Sequence, residues 1–496
     1  MVSKRAVVMA LLAVLSACSS GGSGSGGPTI NSFTATPDSL PSAGGSVTLA
    51  WDVTGATALS INQSVGSVTP ITTGSTVVQV SAATTFTLTA TNASGSTSKT
   101  AAVTVAAAIT LSGTVVDDSR QPYAGQTVVI TSGSFSQSVV TDANGAFSVS
   151  GVPTPYTATV LDSGGSLAVQ YQGLTRSDPT LTDLGDQPTT RSASLAGMLT
   201  GGHYPETAAY STVLNFVSPQ ATAGLTDPTS ASYSSTIDWA GPTTTTGTLY
   251  ALQIHTVSGL PADYPGYGTL PNVLLEDLGT LTGQNIALSS VTSGTLSGTV
   301  SPAAGYTVSD KSMSLLVGSG PLEGALNAVY DTSAGAAFSY TTPSIPNTSI
   351  AFSATTTTVA GETSIAQMTG LSASTSGVTL SVPAAQTLTV PVESATGITV
   401  TNPFTWTAYA GGISVLYVFG AGPTFYVFTT GTTATIPDLS AAGLPLPSSA
   451  AYSWYVIGLG PLADVDAAAA PGGINQLVFG DLTEGESVTR TFTTAN

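Results

Sequence analysis

Few residues in this chain can do chemistry. Among 496 residues there are two histidines, His203 and His255, and one cysteine, Cys18. His203-Tyr-Pro-Glu206 has the H-x-x-E spacing of a zinc-ligand pair, with His255 as a third candidate. The surrounding period-two pattern around prolines reads instead as strands and a surface loop. Asp464 with Asp466, and Glu484 with Glu486, are acidic pairs two apart, a spacing able to offer oxygens to calcium. No twelve-residue calcium loop surrounds either pair, and solvated acids are the simpler reading. No nucleophile elbow, Walker-type phosphate loop or dinucleotide fingerprint is present. The expectation is no catalytic residue, no metal and no cofactor.

Aromatic side chains are the other candidates. Trp406, Tyr409, Tyr417, Tyr426 and Trp454 crowd the last part of the chain and could form a sugar-stacking platform, although most fall where a β-sandwich core needs them. Tyr409 and the segment Tyr264-Pro265-Gly266-Tyr267 are expected to be exposed ligand contacts, because a tyrosine in a Pro/Gly loop has little to bury against.

Cys18 has a more specific setting. Lys4 and Arg5 precede an uncharged apolar run from Ala6 to Leu15, and Leu15-Ser16-Ala17-Cys18 leads into Ser19-Ser-Gly-Gly-Ser-Gly24. The run suits a signal-peptide h-region and falls short of the ~20 residues of a membrane span. This pattern resembles the lipobox of bacterial lipoproteins. The resemblance implies cleavage before Cys18, lipid attachment at its sulfur and amino group, and a membrane partner reached through that anchor. An ordinary signal peptide cut after Ser19 is the alternative. Ser19, where many Gram-negative lipoproteins retained in the inner membrane carry aspartate, favours the outer membrane, with the periplasmic or the surface face left open.

Removing residues 1–17 takes away two basic residues and no acid, moving the formal charge from -18 to -20. Such a surface disfavours nucleic acid, whose binding depends on Lys and Arg at phosphates. With Cys18 lipidated no thiol is left for disulfides, so stability must come from apolar burial in several cores. The apolar stretch Ile413 to Phe428 is interrupted by Gly420-Ala-Gly-Pro423 and reads as two strands and a turn. An outer-membrane β-barrel is compatible with alternating strands, but aromatic content is only 7% and distinct domain signatures interrupt the pattern.

The elements that position these residues read as strands throughout. Residues 18–28 form a Ser/Gly tether. In 29–106, Val47, Leu49, Trp51 and Val53 alternate with polar or small residues. Pro28 to Pro37 and Leu49 to Ala56 make this unit resemble a bacterial immunoglobulin-like domain with Trp51 in its core. In 107–189, Leu111-Ser-Gly-Thr-Val115, Gly125 to Ile130 and Thr141-Asp-Ala-Asn-Gly-Ala-Phe147 resemble the carboxypeptidase regulatory-like, transthyretin-like module. That module is a non-catalytic sandwich despite its name. Leu195-Ala-Gly-Met-Leu199 and Leu296-Ser-Gly-Thr-Val300 echo its first strand, placing further sandwiches at 190–292 and 293–383. Residues 384–496 resemble a fibronectin type III domain through Phe404-Thr-Trp406, Ile413 to Phe419 and Ala451 to Val456. The resemblance implies a tyrosine corner at Tyr452, with Leu446 six residues ahead. An insertion after Val456 carries Asp464 as a cap and Ala467 to Ala470 before Pro471-Gly-Gly, predicting one helical turn.

The expected fold class is all-β, a tandem array of β-sandwich domains after a cleaved signal peptide. The expected function is a non-enzymatic cell-envelope lipoprotein serving as a structural, adhesive or surface-recognition array. The alternative is an accessory protein that binds carbohydrate or peptide through loops at the sandwich ends, with an envelope protein or a glycan as ligand.

Overall fold

The computed structural model describes residues 26–117, 120–162, 164–184, 190–203, 209–225, 230–319, 323–477 and 479–496. Cys18, the signal segment and most of the tether lie outside the described residues. The fold is all-β, a β-sandwich array. It divides into two compact units, with the boundary between Ala106 and Ala107.

The first unit packs a three-stranded sheet, in the order Thr29–Thr36, Gly45–Thr54, Thr73–Val80, on a five-stranded one. Alternation in Gly45–Thr54 turns Val47, Leu49, Trp51 and Val53 inward, and all four are buried. The Trp51 indole N–H donates to the Pro70 carbonyl at 3.0 Å, so the ring's one polar group is satisfied inside the core.

The second unit holds three sandwiches of one topology. Residues 109–182 supply seven strands: Ile109–Val116, Thr127–Ser132, Phe135–Val140, Ala146–Val152, Tyr156–Leu161, Leu167–Leu174 and Thr180–Thr182. Strands three, two, five and six form one sheet in that order; strands four, one and seven form the other. The same order recurs from Thr292–Pro302 to Val378–Val382, and from Thr190–Thr200 onward, where Thr280–Leu281 and Ile286–Ala287 share the seventh position. Each of the three echoed segments is therefore the middle strand of its smaller sheet. The Asp142 carboxylate accepts the backbone N–H groups of Asn144 and Ala146 at 2.8 and 2.9 Å, closing the turn that delivers Phe147 and Val149 to the core.

The last sandwich sets Leu388–Val390, Phe404–Trp406 and Thr433–Ala434 against Thr424–Thr429, Ile413–Gly420, Ala451–Gly460 and Arg490–Thr494. Ile413–Gly420 and Thr424–Thr429 are the antiparallel pair expected around Gly420 to Pro423. The tyrosine corner is not made. The Tyr452 ring stacks on Phe492 with centroids 5.6 Å apart, which aims its hydroxyl at Gly422 and Pro447 and leaves it buried with no hydrogen-bond partner among the described residues.

These sandwiches are not beads on a string. Leu167–Leu174 pairs in parallel with Thr424–Thr429, and Leu482–Glu486 bridges Ala451–Gly460 to Thr363–Leu371. Three sandwiches thus share one 14-stranded sheet. Edge strands that would expose unpaired N–H and C=O groups are covered by each other. The insertion locks one junction. A helical turn, Val465–Ala468, is capped by Asp464, whose carboxylate accepts the Ala467 N–H at 2.8 Å. Val465, Ala468, Leu462 and Leu477 bury in the core of the 109–182 sandwich. Among the described residues no helix is long and apolar enough to cross a membrane, a statement that does not bear on strands.

Candidate functional site

Both faces of the shared sheet are apolar where the last sandwich contributes to it. On Ile413–Gly420 the even positions Leu416 and Val418 join Phe425, Val427, Trp454 and Val456 in that sandwich's own core. The odd positions Ile413 and Val415, with Phe428, are buried under the insertion and the 109–182 sandwich. One step further along, that core reaches its margin at Tyr426 and does not include Tyr417, Phe419 or Tyr455. Tyr455, Tyr417 and Tyr426 are direct cross-strand partners, forming a row across three adjacent strands. All three are half-buried, as is Phe419.

Tyr417 stacks on Tyr426 with centroids 4.4 Å apart and on Phe419 at 4.8 Å, while Tyr455 meets Tyr417 edge-on at 5.0 Å. Cross-strand aromatic pairs of this kind stabilise a sheet. With ring faces turned to one another, the stack offers edges and hydroxyls outward. Burial, then a hydrogen bond with Tyr417, raises the Tyr426 hydroxyl pKa. Burial, then the charge of Glu486, pushes the Tyr455 hydroxyl up to about 12.

Glu484 and Glu486 lie on the same face, on the bridging strand paired with Leu459 and Ile457. Both are half-buried, and neither has a hydrogen bond or ion pair among the described residues. Burial, and then the neighbouring Glu486 charge, raises the pKa of Glu484. Four aromatic rings, a row of three phenols and two uncompensated carboxylates therefore share one open sheet face.

The sequence candidates are distributed differently. Tyr264 is 1% exposed and its hydroxyl donates to the Thr341 carbonyl at 2.8 Å, so it is not an exposed contact. Its Pro/Gly setting is not a loop but part of the 17-residue strand Leu260–Glu276. Gly266 and Gly268 there leave room for Leu288 and Ile286 to lie against the backbone. Tyr267, on the same strand, is half-buried against that core. Tyr409 is 7% exposed and likewise buried. Its ring fills a slot over Gly411, Gly458 and Gly485, where a side chain on Gly458 would meet it at 2.2 Å. Trp406 and Trp454 are core residues. Of the five aromatics read together, only Tyr417 and Tyr426 reach the open face; Phe419 and Tyr455 complete it. The parity of Tyr417 and Phe419 against Leu416 and Val418 is the signal that separates them.

His203 and His255 stack on Tyr210 with centroids 4.0 and 4.5 Å away and planes nearly parallel to it. Two rings parallel to a third at those distances occupy its opposite faces, so the phenol separates the imidazoles and they cannot share a metal ion. His255 Nδ1 lies 2.9 Å from Asp263 Oδ2, and Glu206 lies outside the described residues. Asp466 is also occupied: its carboxylate accepts the N–H groups of Thr175 at 2.8 Å and Arg176 at 3.1 Å.

Residues 110–189 match the carboxypeptidase regulatory-like domain family. No curated protein sequence matches the chain. Among solved structures, the Bacillus anthracis TIE protein is similar at 10% identity over 72% of this chain and 74% of its own, with a TM-score of 0.17. Domains A168–A170 of titin align at 13% identity over 47% of this chain and 94% of theirs, with a TM-score of 0.16. Immunoglobulin domains 1–5 of Sidekick-1 align at 9% identity over 95% of this chain and 98% of theirs, with a TM-score of 0.14. The chain thus carries a segment, residues 110–189, similar to carboxypeptidase regulatory-like domains within an array of β-sandwiches.

Proposed function

We propose that this chain is a non-enzymatic lipoprotein of the cell envelope, anchored through Cys18, whose β-sandwich array serves as a structural, adhesive or surface-recognition element. The observation that carries the array's role is the 14-stranded sheet, which couples three sandwiches into a stiff body suited to presenting a surface. The Leu15-Ser-Ala-Cys18 spacing supports the anchor, and Ser19 supports the outer membrane. The last sandwich is fibronectin type III-like in this reading, supported by its three-plus-four strand arrangement with Leu482–Glu486 added. Non-enzymatic character is supported by the engagement of chemistry-bearing groups in structural contacts: His255 with Asp263, Lys311 with Asp331, Asp466 with the 175–176 backbone.

Protease shaving of intact cells, read by blotting for the last sandwich with Cys18→Ala as control, tests this. Release of the variant into soluble fractions is expected; equal membrane retention of both forms overturns the anchor. Loss of the domain on shaving marks the outer face, and protection marks the periplasmic one. A hydrolytic activity that depends on a named side chain overturns the non-enzymatic reading.

The alternative, a carbohydrate- or peptide-binding accessory protein, has one observation in its favour. The open face of Tyr417, Tyr426, Tyr455 and Phe419 lies on a sheet rather than in the loops at the sandwich ends.

A further inference from the structure

The geometry points to a glycan-binding site on the open sheet face formed by Tyr455, Tyr417, Tyr426 and Phe419 beside Glu484 and Glu486, selective for neutral polysaccharide. The proposal deepens the recognition reading above and rests on it.

The occupant is identified by what the face offers and lacks. Tyr417 has Tyr426 at 4.4 Å and Phe419 at 4.8 Å, stacked on it with planes 29° and 17° from its own, so its ring faces are already covered. A cage for an ammonium group needs free ring faces around the cation, and the stack supplies edges and hydroxyls instead. The Tyr455 hydroxyl has no protein hydrogen bond among the described residues, and Glu484 and Glu486 contribute acceptor oxygens with no cation beside them. The Tyr455 phenol and the two carboxylates, beside the half-buried Phe419 ring at the far end of the stack from the Tyr426 margin, fit a ligand that is rich in hydroxyls and has an apolar C–H face. That is the chemistry of a sugar ring.

Charge narrows the class. Two carboxylates without a compensating cation, in a chain of formal charge -18, repel uronates, sulfated sugars and phosphate-bearing polymers. The face also has length. The tyrosine row crosses three strands, and strands lie about 4.8 Å apart, so the floor spans roughly 10 Å, room for about two sugar units. The carboxylates extend it across the bridging strand toward Thr363 and Ile365, their register partners on Thr363–Leu371.

The test is native affinity electrophoresis of the full chain, purified in mild detergent, through gels containing amylose, a mixed-linkage β-glucan or a galactomannan, with polygalacturonate and a lysine-rich peptide as comparisons. Retardation by at least one neutral polysaccharide is expected. It should weaken about 10-fold or more in Tyr455→Ala and in Glu486→Gln. It should be unchanged in Tyr330→Ala, an exposed tyrosine on the Gly324–Asp331 strand. Circular dichroism matching the parent separates lost binding from lost folding. No retardation by any neutral polymer, retardation of both site variants equal to that of the parent chain, or binding confined to polygalacturonate or to the lysine-rich peptide overturns the proposal. None of these outcomes alters the Cys18 shaving result, so failure of the site and failure of the anchor are distinguishable.

Discussion

The carboxylate of Asp466 accepts the backbone N–H of Thr175 at 2.8 Å across 291 residues of chain. The same carboxylate takes the Arg176 N–H, and the Asp466 carbonyl takes the Arg176 guanidinium at 2.8 Å. The insertion of the last sandwich is thereby tied to the loop that follows Leu167–Leu174, beside the parallel strand junction. Asp466→Ala removes a charged acceptor from the Thr175 and Arg176 amides. A loss of about 2–3 kcal/mol is expected, with faster limited proteolysis between residues 461 and 481. Unchanged proteolysis would show that apolar packing of Val465 and Ala468 holds the insertion without it.

Lys311 is fully buried, its ammonium donating to the Gly335 carbonyl at 2.9 Å and the Ser333 hydroxyl at 3.0 Å, with Asp331 at 3.4 Å. Asp331→Asn leaves that charge without its counterion and should cost about 3–5 kcal/mol in denaturant unfolding. Lys311→Met with Asp331→Asn should recover much of the loss, because the stem is replaced by an apolar chain of similar length. A double variant as unstable as the single one refutes this account.

Asp331 also sets an acid response. Burial opposes its ionisation, but the Tyr340 hydroxyl, the Ser333 groups and Lys311 outweigh it and lower its pKa to about 2 from 3.8. A depressed carboxylate pKa gives stability that is present above the unfolded value and lost as pH falls through the folded one. Unfolding followed between pH 5 and pH 2 should therefore show a loss below about pH 4 that is absent in Asp331→Asn.

Glu484 has the opposite sign. Its raised pKa means that the ionised form is disfavoured in the folded chain, so protonation stabilises and rising pH destabilises. Glu484→Gln should raise the melting temperature at pH 7 by about 1–3 °C and have no effect at acid pH, where both side chains are neutral. A uniform change at both pH values would point to packing rather than charge.

Gly458 is the base of the slot that holds Tyr409. A methyl group there would lie 2.2 Å from the ring, and Gly485 and Gly411 close the other sides. Gly458→Ala should cost about 1–3 kcal/mol by overpacking. Pairing it with Tyr409→Leu should give less than the sum of the two single losses, since the clash disappears with the ring.

The sequence by itself determined the all-β class, the alternation that buries Trp51, the Asp142 turn, the strands on either side of Gly420 to Pro423 and the Asp464-capped helical turn. Each depends on neighbours a few residues apart, where period-two patterning and local hydrogen bonds act. The echoed Leu-Ser-Gly-Thr-Val strands were legible too, because a middle strand crossed closely on both sides keeps its small residues. Tertiary structure decided the rest. Tyr264 and Tyr409 look like loop residues in a string of letters, yet strands that arrive from far along the chain bury them, at Thr341 for one and at Gly458 and Gly485 for the other. The shared sheet depends on pairing between Leu167–Leu174 and Thr424–Thr429, contacts made by backbone groups that carry no residue signature. The open tyrosine row exists because that junction and the insertion cover one part of a doubly apolar sheet and stop one register step short of Tyr417.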